Sequence, residues 1–95
     1  MTVLVLLTAA DCHLCAHGRE TLDALATELL LRWREVDADS EAGRLLAATA
    51  PPLRPVLLDA DGAVIAYGRL SPRRLARDLR RIQPEPSINA RGQPR

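Results

Sequence analysis

The feature that most constrains the fold is an apolar run that leads directly into a helical pattern. Residues 2–7 (TVLVLL) carry no charge, which is typical of a strand buried on both faces of an α/β sheet. From residue 12 to about residue 30, apolar or small side chains recur every three or four positions, at Leu14, Gly18, Leu22, Leu25 and Leu29. This stripe predicts one buried helical face. We therefore expect a strand, a turn in which Asp11 caps the helix, and then the helix itself.

The middle of the chain predicts a second strand, a short helix and a hairpin. The segments follow one another as a strand at residues 31–37, a helix capped by Asp39 or Ser40 and ending near residue 48, and hairpin strands at residues 56–58 and 63–67. Pro55 opens the hairpin, and Gly62 lies in its turn, where a positive φ is expected.

The last predicted element completes a single-domain fold. Ser71 and Pro72 predict the start of a helix, with Leu75, Leu79 and Ile82 on its buried face. The order β-α-β-α-β-β-α over residues 1–82 predicts one α/β domain with a mixed four-stranded sheet and three helices. The first two strands should be parallel, because a crossover helix joins them.

The two ends of the chain carry no recognisable targeting or membrane signal. Residues 83–95 consist mainly of Pro, Gly, Asn, Gln and Arg, and they are predicted to be a disordered tail. The apolar start lacks the basic segment of a signal peptide, and no run approaches the roughly 20 apolar residues of a membrane span. We therefore expect a cytoplasmic protein with no membrane partner.

Composition excludes several chemistries. All 13 basic residues are arginine, so neither a lysine Schiff base nor a P-loop is available. Trp33 and Tyr67 are the only aromatic residues, which argues against a stacking platform for single-stranded nucleic acid. Two cysteines are too few for a disulfide-scaffolded secreted domain. With a net charge of +1, we expect no nucleic-acid partner.

The two cysteines form the motif Cys12-His13-Leu14-Cys15, where the first strand passes into the helix. Cys12 is predicted to lie in the first helical turn, where unpaired N–H groups stabilise a thiolate and lower its pKa. Cys15 follows one turn later on the same face and can attack a mixed disulfide formed at Cys12. This placement predicts Cys12 as the nucleophile and Cys15 as the resolving thiol.

The pair has three other interpretations. Haem attachment needs a histidine directly after the second cysteine, and Ala16 stands there instead. A zinc or iron–sulfur site could combine both cysteines with His13 or His17, although these neighbours point away from the thiols on a helix; a cluster shared between two chains stays open. The thiols could also be ordinary buried side chains.

The sequence resembles the thioredoxin superfamily and, within it, the short glutaredoxin-like proteins. The resemblance covers residues 2–82 and is carried by TVLVLL, CHLC, the strand opening PVLL that begins at Pro55, and GRLSPRRL. It implies a thioredoxin-like fold in which Pro55 is cis and lies against the cysteine pair, and in which the backbone of Arg54 contacts the substrate. Gly68 and Ser71 occupy the segment where glutaredoxins carry a Gly-Gly-x-Asp pattern, and the resemblance makes them substrate-binding residues as well.

The resemblance also implies the reaction partners. The chain would be a glutaredoxin-like thiol–disulfide oxidoreductase with no bound cofactor or metal and with glutathione as a co-substrate. Its partners would be a disulfide-containing protein or a glutathione mixed disulfide, and a reductase or thiol donor. Arg54 would supply the cation beside Cys12 that a lysine gives in relatives. The alternative is a non-catalytic module of the same fold that binds a metal, an iron–sulfur cluster or a protein partner.

Charge is distributed unevenly along the chain. Residues 1–42 hold eight acidic residues and three arginines, whereas residues 43–95 hold ten arginines and four acidic residues. Six of these arginines lie between Arg69 and Arg81, mostly at helical spacing. We interpret them as a solvated helix face, with a docking patch for an acidic partner or nucleic acid as the other interpretation. Arg19 and Asp23 are spaced for an ion pair within the first helix.

Overall fold

Seven elements alternate along residues 3–82, which are the residues that the computed structural model describes. They are β1 (Val3–Thr8), α1 (His13–Leu29), β2 (Arg32–Asp37), α2 (Glu41–Ala47), β3 (Val56–Leu58), β4 (Val64–Tyr67) and α3 (Pro72–Ile82). This order confirms the predicted succession of strands and helices. The predicted disordered tail, residues 83–95, lies outside the described residues.

The four strands form one mixed sheet in the order β2-β1-β3-β4. β1 runs parallel to β2 in a register that pairs Val3 with Arg32 and Thr8 with Asp37. β3 is antiparallel to both β1 and β4. β1 is therefore an inner strand, and its side chains are buried from Leu4 onwards, as its uninterrupted apolar sequence predicts.

Each face of the sheet has its own apolar core, because alternate side chains of β1 and β3 point to opposite faces. One core joins the sheet to α1 and α3; its buried members are Leu4, Leu6, Leu22, Leu25, Leu57, Leu70, Leu75 and Leu79. The other core lies beneath α2; its buried members are Val5, Leu7, Val36, Val56 and Leu58. Leu75 and Leu79 are buried as predicted, and the side chain of Ile82 lies outside the described part of the chain.

The ends of α2 show how local sequence sets its position. Ser40 is the N-cap, and its Oγ accepts a hydrogen bond from the Gly43 N–H at 3.0 Å. Gly43 is buried against the end of β2, and a Cβ at this position would clash with the carbonyl oxygen of Asp37. Glycine therefore permits α2 to approach the sheet closely, which the sequence pattern did not indicate.

Some predicted details need correction. The prediction that Leu14 lies on the buried face of α1 is wrong, because Leu14 is 36% exposed. The buried residues of that face are Cys15, Gly18, Thr21, Leu22 and Leu25. Tyr67 on β4 is 49% exposed, whereas Trp33 on β2 packs against the core. Gly62 adopts a φ of 87°, as its turn requires. Within residues 3–82, no helix combines the length and the hydrophobicity needed to cross a bilayer.

Candidate active site

The cysteine pair lies beyond the carboxyl end of β1, where the chain passes into α1. Cys12 and Cys15 are joined as a disulfide, with their Cα atoms 5.2 Å apart. Cys15 belongs to the first turn of α1, and Cys12 directly precedes that helix. The motif is thus held between a buried strand and a helix N-terminus, as the sequence predicted.

The helix cap differs from the prediction. Cys12, and not Asp11, is the N-cap: its backbone is extended (φ −114°, ψ 106°), and its Sγ accepts a hydrogen bond from the Cys15 N–H at 3.1 Å. The first helical backbone bond joins the Ala16 N–H to the Cys12 carbonyl at 3.2 Å. Asp11 has a φ of 53°, so it forms the left-handed turn before the cap. The prediction was wrong because it placed Cys12 inside the helix rather than at its boundary.

The two sulfur atoms are unequally accessible. Cys15 is 0% exposed, whereas Cys12 is only partly buried. The first turn of α1 contains no acidic residue that would oppose a negative charge on sulfur. An N–H donor and a helix N-terminus both stabilise a thiolate. Once the disulfide is reduced, Cys12 is therefore the sulfur that an external disulfide can reach.

A second loop approaches the cysteines from across the sheet. The Arg54–Pro55 peptide bond is cis, which confirms the expectation from the resemblance. The carbonyl oxygen of Arg54 lies 4.0 Å from Cys12 Sγ. The carbonyl oxygen of buried Pro55 accepts a hydrogen bond from the Gly68 N–H at 2.8 Å. The fold thus brings Cys12, Arg54, Pro55 and Gly68 into one region.

The packing beneath this loop depends on Gly18. A Cβ at Gly18 would lie 3.3 Å from Leu70 Cδ1 and 3.4 Å from Pro55 Cγ. The loop of residues 48–55, which ends with the cis bond, is called the proline loop below. The absence of a side chain at Gly18 lets α1 pass close to this loop and to Leu70, which precedes α3. The sequence placed Gly18 on the buried stripe but gave no sign that it contacts Pro55, because these residues are far apart in the chain.

Comparison with known proteins agrees with this geometry at the level of fold. A structure described as "Structure of a malarial protein" superposes with a TM-score of 0.66 at 15% identity, covering 85% of this chain and 96% of that one. Thioredoxin O2 from Arabidopsis thaliana in the oxidised state superposes with a TM-score of 0.65 at 18% identity, covering 86% of this chain and 75% of that one. The chain has a thioredoxin-like fold. No protein-family model matches the sequence, and no curated protein does.

Within the thioredoxin-like fold, the guanidinium group of Arg54 is held by its own loop. Its Nη1 donates to the carbonyl oxygens of Pro51 at 3.0 Å and Leu53 at 2.8 Å. The backbone of Arg54 faces Cys12, while the side chain is anchored on the residues before the cis-proline. The predicted role of its charge beside Cys12 stays a prediction.

Ser71 directly precedes α3. It is exposed, and the Arg74 N–H lies 3.5 Å from its Oγ. The Leu75 N–H donates to its carbonyl oxygen at 2.8 Å. These contacts place Ser71 before the first turn of α3, as its predicted capping role requires.

A polar cluster at the end of β1 was missed by the sequence analysis. The Thr8 hydroxyl donates to Glu35 Oε2 at 2.8 Å, and Arg19 donates to both oxygens of Glu35, at 2.8 and 2.7 Å. Hydrogen bonding from Arg19, followed by that from Thr8, holds the pKa of Glu35 below its usual value against the opposing effect of burial. Arg19 therefore pairs with Glu35 on β2, and the prediction that it pairs with Asp23 is wrong.

The cluster connects the elements that flank the cysteines. Thr8 ends β1, Arg19 lies one turn beyond Cys15 on α1, and Glu35 belongs to the edge strand β2. Sequence separations of 16 and 27 residues leave no local pattern by which it could have been found. The parallel pairing of β1 and β2 creates the contact.

The histidines near the motif face solvent. His13 and His17 are both exposed on α1. Across residues 3–82, no group of three or more His, Cys, Asp or Glu side chains is arranged to hold a metal ion. The observed partner of each cysteine is the other cysteine.

Proposed function

We propose that this protein is a glutaredoxin-like thiol–disulfide oxidoreductase that uses Cys12 and Cys15 as a redox-active dithiol. The observation that carries the proposal is the asymmetric disulfide, in which a partly exposed Cys12 caps a helix and Cys15 is fully buried. The cis-proline loop beside it supports the same function, because its backbone lies next to the reactive sulfur.

In the proposed reaction, the reduced protein donates two electrons to a substrate disulfide. The Cys12 thiolate attacks one substrate sulfur, forming a mixed disulfide and releasing the other substrate sulfur as a thiolate, which takes a proton from water. Cys15 then attacks Cys12 Sγ as a thiolate and breaks the bond between Cys12 and the substrate sulfur, which leaves as a thiolate and takes up the proton that Cys15 gave up. This step restores the Cys12–Cys15 disulfide and releases the reduced substrate. A thiol donor reduces the protein again by the reverse exchange.

The surroundings of Cys12 suggest how a substrate would bind. The Arg54 carbonyl lies next to Cys12, Gly68 is hydrogen-bonded to the Pro55 carbonyl, and Ser71 directly precedes α3. Leu14 and Leu53, which are 36% and 52% exposed, add apolar surface to the cysteine motif and to the proline loop. We assign this surface to the chain around a protein disulfide or to a glutathione mixed disulfide.

Glutathione or a reductase would supply the electrons. Both belong to the cytoplasm, where thiol systems keep such a dithiol reduced, and we place the activity there. The alternative of a module that binds a metal or an iron–sulfur cluster predicts a stoichiometric metal content in the reduced protein. Metal analysis therefore separates the two functions before any kinetic measurement.

The direct test compares wild type with Cys12→Ser and Cys15→Ser. Wild type should reduce a disulfide-containing peptide with dithiothreitol as donor, and Cys12→Ser should be inactive. When it is reduced beforehand and freed of dithiothreitol, Cys15→Ser should accumulate a mixed disulfide at Cys12, detectable by mass spectrometry, because the buried resolving thiol is absent. Equal activity in wild type and Cys12→Ser would contradict the proposal.

A further inference from the structure

An arginine-rich surface follows the exposed side of α3. We call it the arginine face; its members, all exposed, are Arg69, Arg73, Arg74, Arg77, Arg80 and Arg81. Asp78 is the one acidic residue between residues 69 and 81, so this segment carries a net charge of +5. The remainder of the chain has seven arginines and eleven acidic residues, a net charge of −4. The net charge of +1 is therefore the sum of a strongly positive segment around α3 and a negative remainder.

Within the part of the chain that the structure describes, most of these arginines have no acidic partner. Among residues 3–82, Arg80 is the member of the face that forms an ion pair, with Glu28 at 3.3 Å. Arg73 and Arg77 lie one helical turn apart, and like charges at this spacing destabilise a helix. The contrast with Arg19, whose guanidinium binds Glu35 at both oxygens, shows that the fold pairs arginine elsewhere. Ion pairs among residues 3–82 therefore do not account for the face.

The arginine face begins beside the cysteine site. Arg69 directly follows Gly68, whose N–H donates to the Pro55 carbonyl, and Leu70 packs next to Gly18. From there the 11 residues of α3 carry the face away from the site over about 16 Å, at 1.5 Å per residue. A chain bound at Cys12 could thus continue along α3.

A groove beside the face gives it shape as well as charge. It lies between β4 and α3, with a volume of about 320 Å³, and its lining includes Tyr67, Arg69, Ser71, Arg74 and Asp78. Two members of the arginine face therefore border a recess that can accept a side chain. Guanidinium groups bind carboxylates through paired hydrogen bonds, which makes Asp and Glu the side chains that this surface recognises best.

Resting on the proposed function, we infer that the arginine face docks an acidic segment of the protein whose disulfide is exchanged at Cys12. A peptide segment fits better than a nucleic acid for two reasons. Tyr67 is the aromatic side chain that lines the groove beside the face, whereas a platform for single-stranded nucleic acid stacks successive bases on several aromatic rings. The remainder of the chain carries a net negative charge that would repel a long polyanion beyond α3.

The test uses two disulfide peptides that differ only in charge. One carries four glutamates beside its disulfide, and its twin carries glutamine at the same places. Single-turnover rate constants are measured with reduced full-length protein at about 0.01 M and about 1 M salt, where the Debye length falls from about 30 to 3 Å. We expect wild type to reduce the acidic peptide at least about tenfold faster at low salt, and this preference to disappear at high salt.

A pair of charge-matched variants locates the effect. Arg73→Glu/Arg77→Glu reverses two charges on the arginine face, whereas Arg32→Glu/Arg34→Glu reverses two exposed charges on the edge strand β2. The first variant should lose the preference for the acidic peptide and keep its rate with the glutamine twin. The second variant should keep both the preference for the acidic peptide and the rate with the glutamine twin. A preference that survives in the first variant, or that falls equally in the second, overturns the inference.

A binding measurement separates this inference from the proposed function. If wild type reduced neither peptide, the proposed oxidoreductase function would fail, but docking could still be measured with the redox-inactive Cys12→Ser/Cys15→Ser protein. Fluorescence anisotropy should then show that the acidic peptide binds this protein and does not bind it after Arg73→Glu/Arg77→Glu is added. Binding of an RNA oligonucleotide without binding of the acidic peptide overturns the inference.

Discussion

Glu35 provides a test of how the sheet holds the region before Cys12. Its carboxylate accepts one hydrogen bond from the Thr8 hydroxyl and two from Arg19, so it connects β1, β2 and α1. Glu35→Gln keeps an oxygen that can accept from Thr8 but removes the charge that attracts Arg19. Glu35→Ala removes both interactions. Comparing the two variants therefore isolates the Thr8 bond.

In Glu35→Ala, the missing hydrogen bond from Thr8 should account for the larger part of the decrease in the free energy of unfolding. Thr8 is only 4% exposed, so Glu35→Ala leaves a buried hydroxyl without its acceptor, at a cost of about 1–3 kcal/mol. The pair with Arg19 is solvent-exposed and screened, with side-chain exposures of 40% and 35%, so Glu35→Gln should be much milder. We expect Glu35→Ala to lower the free energy of unfolding by at least about 1 kcal/mol more than Glu35→Gln does.

The effect of pH has a definite sign. The folded protein lowers the pKa of Glu35 from an ordinary value of 4.5, so the charged carboxylate stabilises the fold above that pH. This contribution is lost as the pH falls below 4.5 and through the lower pKa of the folded state. The stability difference between wild type and Glu35→Gln should therefore shrink between pH 7 and pH 3.

Urea unfolding of the oxidised proteins measures both effects, with the fluorescence of Trp33 as the probe. Trp33 is the single tryptophan and packs against the core, so its emission should change when the fold is lost. Equal stability of Glu35→Ala and Glu35→Gln would refute the role of the Thr8 bond. A difference between wild type and Glu35→Gln that does not change with pH would refute the role of the charge.

Three other substitutions test the close contacts of the fold and the site. Gly43→Ala should lower the free energy of unfolding by about 1–3 kcal/mol, because the new methyl group meets the Asp37 backbone and displaces α2; urea unfolding measures this loss. Gly18→Val should slow peptide disulfide reduction, measured as a single-turnover rate, because its methyl groups push against the proline loop. Arg54→Ala should raise the pKa of the Cys12 thiol, measured from the pH dependence of alkylation, if the guanidinium acts on sulfur as the sequence predicts.

The controls for these substitutions lie nearby. Ala24→Val adds the same β-branching to an exposed site on α1 and should leave the reduction rate unchanged. A similar slowing in Ala24→Val and Gly18→Val would contradict the contact role of Gly18. A Gly43→Ala protein as stable as wild type would show that α2 can move at no cost. An unchanged Cys12 pKa after Arg54→Ala would limit Arg54 to anchoring its own loop.

Much of the fold could be predicted because its signals are local. An uninterrupted apolar run identifies the inner strand β1, and Ser40, Gly62 and Ser71 are located by the caps and turns that they form. The helix boundary at Cys12 was placed one residue too early. A cysteine can serve as an N-cap through its sulfur, and the ranking of oxygen-bearing caps favoured Asp11.

The cysteines of the candidate site could be predicted from the sequence, but most of the contacts that hold the surrounding residues in place could not. The spacing of Cys12 and Cys15 predicts that the two sulfurs lie close together, whereas the cis bond before Pro55 came only from the family resemblance. The contact of Gly18 with the proline loop and the hydrogen bonds of Glu35 join distant parts of the chain. Such contacts depend on strand pairing and helix packing, which a single sequence does not specify in detail.

The reactivity of Cys12 tests the central claim most directly. Reduced wild type and Cys15→Ser are alkylated with iodoacetamide over a range of pH, and mass spectrometry identifies which sulfur reacts. We predict that Cys12 reacts first, with a pKa well below the value of about 8.5 for free cysteine, because the N-terminus of α1 stabilises its thiolate. A Cys12 pKa near 8.5, or faster alkylation of Cys15 than of Cys12, would contradict its assignment as the nucleophile.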